Sequence, residues 1–266
     1  MTTELERSYA RLLRLYPAGY RRARGDEMLD VLLSSGATRL SLRERRALVL
    51  GALRARAGAA GHRDLGAIWR QSAALAAAML MTFGTVGTVQ RQLDWPVGDW
   101  REYVAAALGL AGIVLTFSRW LPAAIGCAAA AYLFPMLSEG RLSFSWSMEW
   151  LLAAILLIPA AVRGGRPRWQ QGYLLVLPLA LLDPALTPSL LQTDWIVLLA
   201  VVLLWVVIDE RAAIAFGLML TIGPVNQGMA ELYGVNVETS YVMMWALWPA
   251  AMLVVGSLIA RRRSRI

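Results

Sequence analysis

The sequence predicts an all-α protein: a polytopic bundle of about eight transmembrane helices with a small cytoplasmic three-helix domain at its amino terminus. Three observations predict this class. Hydrophobic residues make up 58% of the 266 residues and charged residues 17%, whereas globular chains are about half apolar and a quarter charged. All 26 basic residues are arginine, and 14 of them fall within residues 1–70, which hold only 7 acids. From Ile68 onward, apolar segments alternate with short polar connections.

Three amphipathic helices are predicted in the amino-terminal head, residues 1–60. The first covers residues 4–16, where apolar residues recur at helical spacing, and it ends at Pro17 because proline restricts the residue before it. The second covers residues 18–34, and Gly25 in its middle favours two short pieces. The apolar side of this second helix consists of Met28, Val31 and Leu32.

The third helix of the head begins at a capping box, Ser41-Leu42-Arg43-Glu44. In this pattern the serine hydroxyl accepts from a backbone amide three residues on, and the glutamate accepts from the serine amide in return. The apolar face that follows is predicted to consist of Leu42, Val49, Leu53 and Ala57. Because a domain this small has a marginal core, docking onto another surface would stabilise it.

A linker, residues 61–69, leads into a membrane domain, residues 70–260, and a basic cytoplasmic tail follows at 261–266. The predicted spans are 70–90, 102–118, 120–138, 147–163, 172–190, 194–209, 211–228 and 239–260. Eight spans with a cytoplasmic start place 23 of the 26 arginines inside and 3 outside. This asymmetry predicts a multi-pass protein of the inner cell membrane with both termini cytoplasmic, and it supports an even number of spans more firmly than eight.

The residue inventory argues against an enzyme. His62 is the one histidine, Cys127 is the one cysteine, and lysine is absent, so the chain offers no histidine pair, no cysteine cluster and no lysine nucleophile. We therefore predict no catalytic residue, no metal and no cofactor. Glu102, Glu149 and Glu231 are interpreted as solvated loop residues.

Polar residues at membrane depth are the remaining candidates for a ligand site. Asp183 lies between Pro178 and Pro184, where a broken helix could hold a carboxylate near mid-membrane. The alternative is that the span ends near Leu182 and Asp183-Pro184 starts a turn. A second polar spot contains Asn226 and Gln227, and the two spots together could line one vestibule.

The arginines of the head permit three interpretations. They could attract anionic lipid headgroups, at roughly 1 kcal/mol per residue near the surface. They could instead be the solvated face of a protein-binding domain. Direct nucleic-acid binding is not expected, because acids are interleaved with the arginines and no DNA-binding motif is present.

The head also resembles a known type of domain. The run RLLRLYPAGYRRARGDEMLDVLL, followed by SLRERRALVLGALRARAG, combines a helix ending in Leu-Tyr-Pro, an Arg-rich turn and Gly-x-Glu-Met. The matching residues are Leu15, Tyr16, Pro17, Tyr20, Arg21, Gly25, Glu27 and Met28. Over residues 5–60 the pattern is similar to the HAAS-type or permease prefix domains of uncharacterised actinobacterial membrane proteins. The resemblance implies a partner such as a PadR-like transcription regulator or a permease-like membrane protein, and it implies no catalytic residue.

These features together predict a signalling or regulatory membrane protein whose head docks a cytoplasmic partner. The residues predicted to form the docking side are Tyr16, Tyr20, Met28 and Leu32, with the arginines orienting the head on the membrane. The first alternative is a small-molecule transporter or permease subunit with its polar site around Asp183. The second is a structural membrane protein without a small-molecule ligand.

Overall fold

The computed structural model of the chain describes residues 4–34, 39–56, 64–94, 100–138, 148–175, 208–232 and 239–264. All regular secondary structure in these ranges is helical, as the sequence predicts. The chain divides into two compact units, Met1–Gly61 and His62–Ile266. The finer division into head, linker, membrane domain and tail stays a prediction.

The first unit contains three helices, α1 (Glu4–Leu13), α2 (Ala18–Ser34) and α3 (Leu42–Arg56). Leu13, Tyr16 and Ala52 form the buried centre of its small core, and Tyr20, Met28 and Leu29 pack against them from α2. The predicted break of the second helix at Gly25 is wrong, because α2 is continuous. An interior glycine costs a helix about 1 kcal/mol, and packing of α2 on the core outweighs that cost.

Helix α3 begins at the predicted capping box. The amide of Ser41 donates to the Glu44 carboxylate over 2.9 Å, and the amide of Glu44 donates to the Ser41 hydroxyl over 3.2 Å. The predicted apolar face of this helix is wrong. Leu48 and Ala52 are the buried residues, whereas Leu42 is 72% exposed.

The shift of the buried face of α3 has a steric cause. The ring and hydroxyl of Tyr16 lie where a side chain on Gly51 would be, so Gly51 lets the tyrosine pack directly on the helix backbone. Ala52 clusters with Tyr16 beside this contact, and Leu48, one helical turn before Ala52, is buried on the same side of the helix. The core therefore forms about one residue away from the face that hydrophobicity alone selects.

The second unit contains the remaining helices. They are α4 (Leu65–Asp94), α5 (Trp100–Phe117), α6 (Leu121–Ser138), α7 (Met148–Arg163), a 3₁₀-helix (Trp169–Leu175), α8 (Glu210–Leu220), α9 (Ile222–Leu232) and α10 (Thr239–Ser264). Helix α4 packs against α5, α7 and α8, and α8 packs in turn against α10. Every residue from Ser72 to Thr82 is buried, so all sides of α4 are covered over these three turns. A helix buried all round is the central helix of its bundle.

Contacts between helix ends fix the directions of the helices. At the end of the bundle where α4 begins, the Arg70 side chain donates to the carbonyl of Gly164, just after α7 ends. At the same end, Ile68 of α4 clusters with Ile214 of α8 and Ala260 of α10. Helix α7 therefore ends, α8 begins and α10 ends near the start of α4. We call this the first end of the bundle, and the opposite end the second end.

Among the described residues, three helical segments are long and apolar enough to cross a membrane: Leu65–Leu93, Trp100–Phe117 and Glu210–Met229. A shorter apolar segment, Leu121–Pro135, lies in α6. The eight spans stay a prediction. The predicted span 172–190 begins in a 3₁₀-helix, and from residue 176 it lies outside the described residues, as does 194–209 up to residue 207.

Candidate functional site: a buried polar face on the central helix

A row of buried polar side chains follows one face of α4. Thr82, Thr85, Thr88 and Gln92 are spaced by three, three and four residues, which places them on one side of a helix, and each is more than nine-tenths buried. We call these four residues the polar face. Burying a polar group in an apolar bundle costs free energy unless the group is hydrogen-bonded, so each of these four side chains needs a partner.

Two members of the polar face have hydrogen-bond partners within α4 and two lack them. The Thr82 hydroxyl donates to the carbonyl of Ala78 over 2.9 Å, and the Thr88 hydroxyl accepts from Arg91 over 3.2 Å. The Thr85 hydroxyl oxygen and the Gln92 side-chain oxygen are buried without a hydrogen-bond partner in the described part of the chain.

A glycine on α5 allows close approach at the level of Thr85. A side chain on Gly109 would collide with the Thr85 hydroxyl and with the Trp150 ring, which is itself fully buried. Helices α4 and α5 are antiparallel, so Gln92, seven residues after Thr85, lies level with Glu102, seven residues before Gly109. Both lie about 10 Å from the Thr85 level, toward the second end. One carboxylate oxygen of Glu102 is also buried without a hydrogen-bond partner in the residues described.

Glu149 enters the same region from α7. A Cβ on Gly84 would lie 2.7 Å from Cγ of Glu149 and 2.9 Å from Cε2 of Trp150, so both side chains press against the backbone of α4 beside the polar face. Glu149 is only 5% exposed. Its interpretation as a solvated loop residue is therefore wrong, and so is that of Glu102, which is partly buried, whereas Glu231 is exposed as expected.

The predicted ligand residues Asn226 and Gln227 lie on α9 and are half-buried. The side-chain oxygen of Asn226 is buried without a partner among the described residues. Arg211 and Gln71 are hydrogen-bonded, so they lie at the same level of the bundle. Helices α8 and α9 run in the same direction as α4, and Asn226 lies about 22 Å along them from Arg211. This is close to the distance along α4 from Gln71 to Thr85, so Asn226 and Thr85 lie at similar levels. Asp183 lies outside the described residues, so its meeting with Asn226 stays a prediction.

A second polar cluster lies at the first end of the bundle. Asp209 caps the start of α8, and its carboxylate accepts from the Arg211 amide over 3.0 Å and from Arg211 Nε over 2.7 Å. The Arg211 Nη2 atom forms an ion pair with the same carboxylate, and Nη1 donates to the Gln71 side-chain oxygen over 3.1 Å. Each polar group of this cluster is thereby satisfied, which is what burial demands.

Arg211, which the span prediction counts among the cytoplasmic arginines, is a buried residue of this cluster. Asp209, Glu210 and Arg211 are all at least 96% buried. The arginine is neutralised by Asp209 and fixed to α4, so it belongs to the packing of the bundle.

The predicted docking residues of the head are mostly part of its core. Tyr16 is 6% exposed and stacks on Tyr20 with ring centroids 5.3 Å apart, while Met28 packs on the same cluster. Leu32 is partly buried. The large apolar side chains of the head that remain clearly exposed are Val31 at 64% and Leu42 at 72%. The docking role of the four predicted residues stays a prediction.

Glu44 and Tyr9 are electrostatically coupled in the head. The amide and hydroxyl of Ser41 hold the pKa of Glu44 below its usual value, because both donate to the carboxylate. Burial, followed by the negative charge of Glu44, raises the pKa of Tyr9. The capping box thus keeps Glu44 ionised at the start of α3, where a negative charge also suits the helix dipole.

Sequence reasoning missed the polar face because it considered charged and amide side chains and passed over the threonines. The signal that could have found it is the spacing of Thr82, Thr85, Thr88 and Gln92 within one apolar helix. Comparison of the chain with protein-family models, with curated proteins and with solved structures finds no match.

Proposed function

We propose that the chain is a multi-pass membrane protein of the signalling or regulatory class, whose amino-terminal head docks a cytosolic protein. The observation that carries the proposal is that the head is a compact unit with its own core, yet leaves Val31 and Leu42 largely exposed among many arginines. Exposed apolar side chains that lie together with a polar rim mark protein-binding sites.

The bundle of the second unit supports the membrane part of this proposal. It contains three segments of spanning length, and α7 ends at the end of the bundle where α8 begins. If an even number of spans lies between α7 and α8, the chain must return to the end of the bundle that it left, and α8 must begin where α7 ends. A cytoplasmic head then follows from the arginine asymmetry.

The docking surface proposed for the head differs from the one that the sequence predicts. Tyr16 would have to leave the core to reach a partner, whereas Val31 and Leu42 are accessible without rearrangement. The resemblance of the head to HAAS-type domains favours a PadR-like regulator as the partner class. Anionic headgroups would contact the arginines in either case.

The test is a pull-down from membranes with the full chain. Val31→Ser with Leu42→Ser is expected to abolish recovery of the partner, because it removes the exposed apolar contacts and leaves the core intact. The matched control is Arg45→Gln with Arg46→Gln, at exposed positions of α3, which is expected to weaken membrane-lipid contact and to retain the partner. Equal recovery from all three proteins, and from a chain lacking residues 1–60, would exclude the docking function.

A second candidate function is a transporter or permease subunit. The specific observation in its favour is the polar face of α4 with Glu149 beside it, since buried polar residues in a membrane bundle mark pathways for ions or substrates. A proteoliposome flux assay separates the two functions, because a docking protein without a transport role produces no flux.

A further inference from the structure

Two side-chain oxygen atoms of the polar face have no hydrogen-bond partner among the described residues. Thr85 and Gln92 are 4% and 6% exposed, and the side-chain oxygen of each has no hydrogen-bond partner in the described ranges. Glu102 contributes a third unpartnered oxygen at the level of Gln92. The Gln92 and Glu102 atoms are pure acceptors, so a buried hydrogen-bond donor or a cation is what they need.

We propose that α4, α5 and α7 bind a small monovalent cation, a proton or Na⁺, which exchanges between an outer pair of acceptors, Gln92 and Glu102, and an inner pair, Thr85 and Glu149. Carboxylate, carbonyl and hydroxyl oxygens are the hard ligands that such a cation takes. No group of three or more acidic, histidine or cysteine residues suited to a metal ion occurs in the part of the chain that was described, which disfavours a divalent ion. This site is independent of whether the head docks a protein.

The site has an inner and an outer level. Thr85 and Glu149 lie at the inner level, beside Trp150 and the two glycines that allow close packing there. Gln92 and Glu102 lie two turns nearer the second end. A cation arriving from that end therefore meets an acceptor pair first and then the buried Glu149 carboxylate.

The charges around the site define its electrostatics. The charged and titratable side chains described at this end, on α4 to α7 and α9, are Arg91, Arg101, Glu102, Tyr103, Tyr132, Glu149 and Glu231. The positive charge of Arg91 acts on Glu149, and the Arg91 guanidinium donates to Thr88 within the polar face. The positive charge of Arg91 therefore partly opposes the binding of a cation near Glu149.

The test measures ligand-linked stability of the purified full chain in detergent. Thermal unfolding is followed with a thiol-reactive dye, for which Cys127 is the one cysteine of the chain. At constant ionic strength, replacing choline chloride by 100 mM NaCl is expected to raise the midpoint by about 3 °C or more if Na⁺ binds. If a proton binds instead, lowering the pH from about 8 to 6 in choline chloride raises the midpoint by a comparable amount.

Variants identify the site. Glu102→Gln and the nearly isosteric Thr85→Val are expected to lose most of the Na⁺ or proton response, while Glu231→Gln, the same chemical change at an exposed position of α9, keeps it. Size-exclusion profiles establish that each variant is folded. If Glu102→Gln does not fold, Thr85→Val alone tests the site. A response that is absent in the unmodified chain, or identical in the unmodified chain and every folded variant, overturns the proposal.

Discussion

Arg211 provides the sharpest test of how the bundle is held together. In Arg211→Leu the Asp209 carboxylate loses its ion pair and the bonds from Nε but remains buried, and the partly buried Gln71 loses its donor. Breaking a buried pair by removing one partner costs about 3–5 kcal/mol, because the other charge is left uncompensated. In a domain of this size that corresponds to a fall of about 6–20 °C in the unfolding midpoint.

The double variant separates the ion pair from simple packing. Asp209→Leu with Arg211→Leu removes both charges, so it is expected to recover at least half of the stability that Arg211→Leu loses. The measurement is the thermal midpoint in detergent, followed at Cys127. A fall of less than about 2 °C in Arg211→Leu, or a double variant no more stable than the single one, would refute the assignment of Arg211 as a buried structural charge.

Two further predictions concern packing and pH. Gly109→Ala is expected to destabilise the bundle by about 1–3 kcal/mol, because its methyl group meets the Trp150 ring, whereas Gly126→Ala on α6, with no atom within 4 Å of the new methyl group, is expected to be neutral or stabilising. Thermal midpoints of the two alanine variants check this, and equal midpoints would contradict the close approach at Gly109. In the head, the pKa of Glu44 is lowered by Ser41, so its stabilising contribution is present above the ordinary glutamate pKa and is lost as pH falls through the lowered value. The hydrogen-exchange protection factors of the α3 amides, which correct for the intrinsic pH dependence of exchange, are therefore expected to fall at acidic pH. Ser41→Ala, which removes the hydroxyl but not the amide donor, is expected to reduce that fall. An unchanged pH profile in Ser41→Ala would exclude the hydroxyl as a cause.

Local sequence signals predicted several elements of the fold. The runs of apolar residues gave the approximate bounds of α4 to α7, and the capping box gave the start of α3. These features depend on interactions within about four residues along the chain, so they are visible without the fold. The buried face of α3 could not be predicted in this way, because Tyr16 and Gly51 decide it from two different elements.

The candidate site was even less accessible from the sequence. Asn226 was singled out and has an unpartnered buried oxygen, but Glu149 and Glu102 were interpreted as solvated because they lie near polar connections. Burial of a residue near a helix end depends on which neighbouring helices cover it. Glu149 packs against the backbone of α4 at Gly84, and this contact is a property of the packed bundle.

The sequence by itself determined the helical class, the segregation of arginine to the first 70 residues and the apolar character of the long helices, because each follows from composition and local periodicity. Only the tertiary structure decided which polar residues are buried and what they face. Gln71 and Arg211 are 140 residues apart in the chain, and Thr85 meets Gly109 across two antiparallel helices. Such contacts depend on helix direction and register, which nothing in the local sequence specifies.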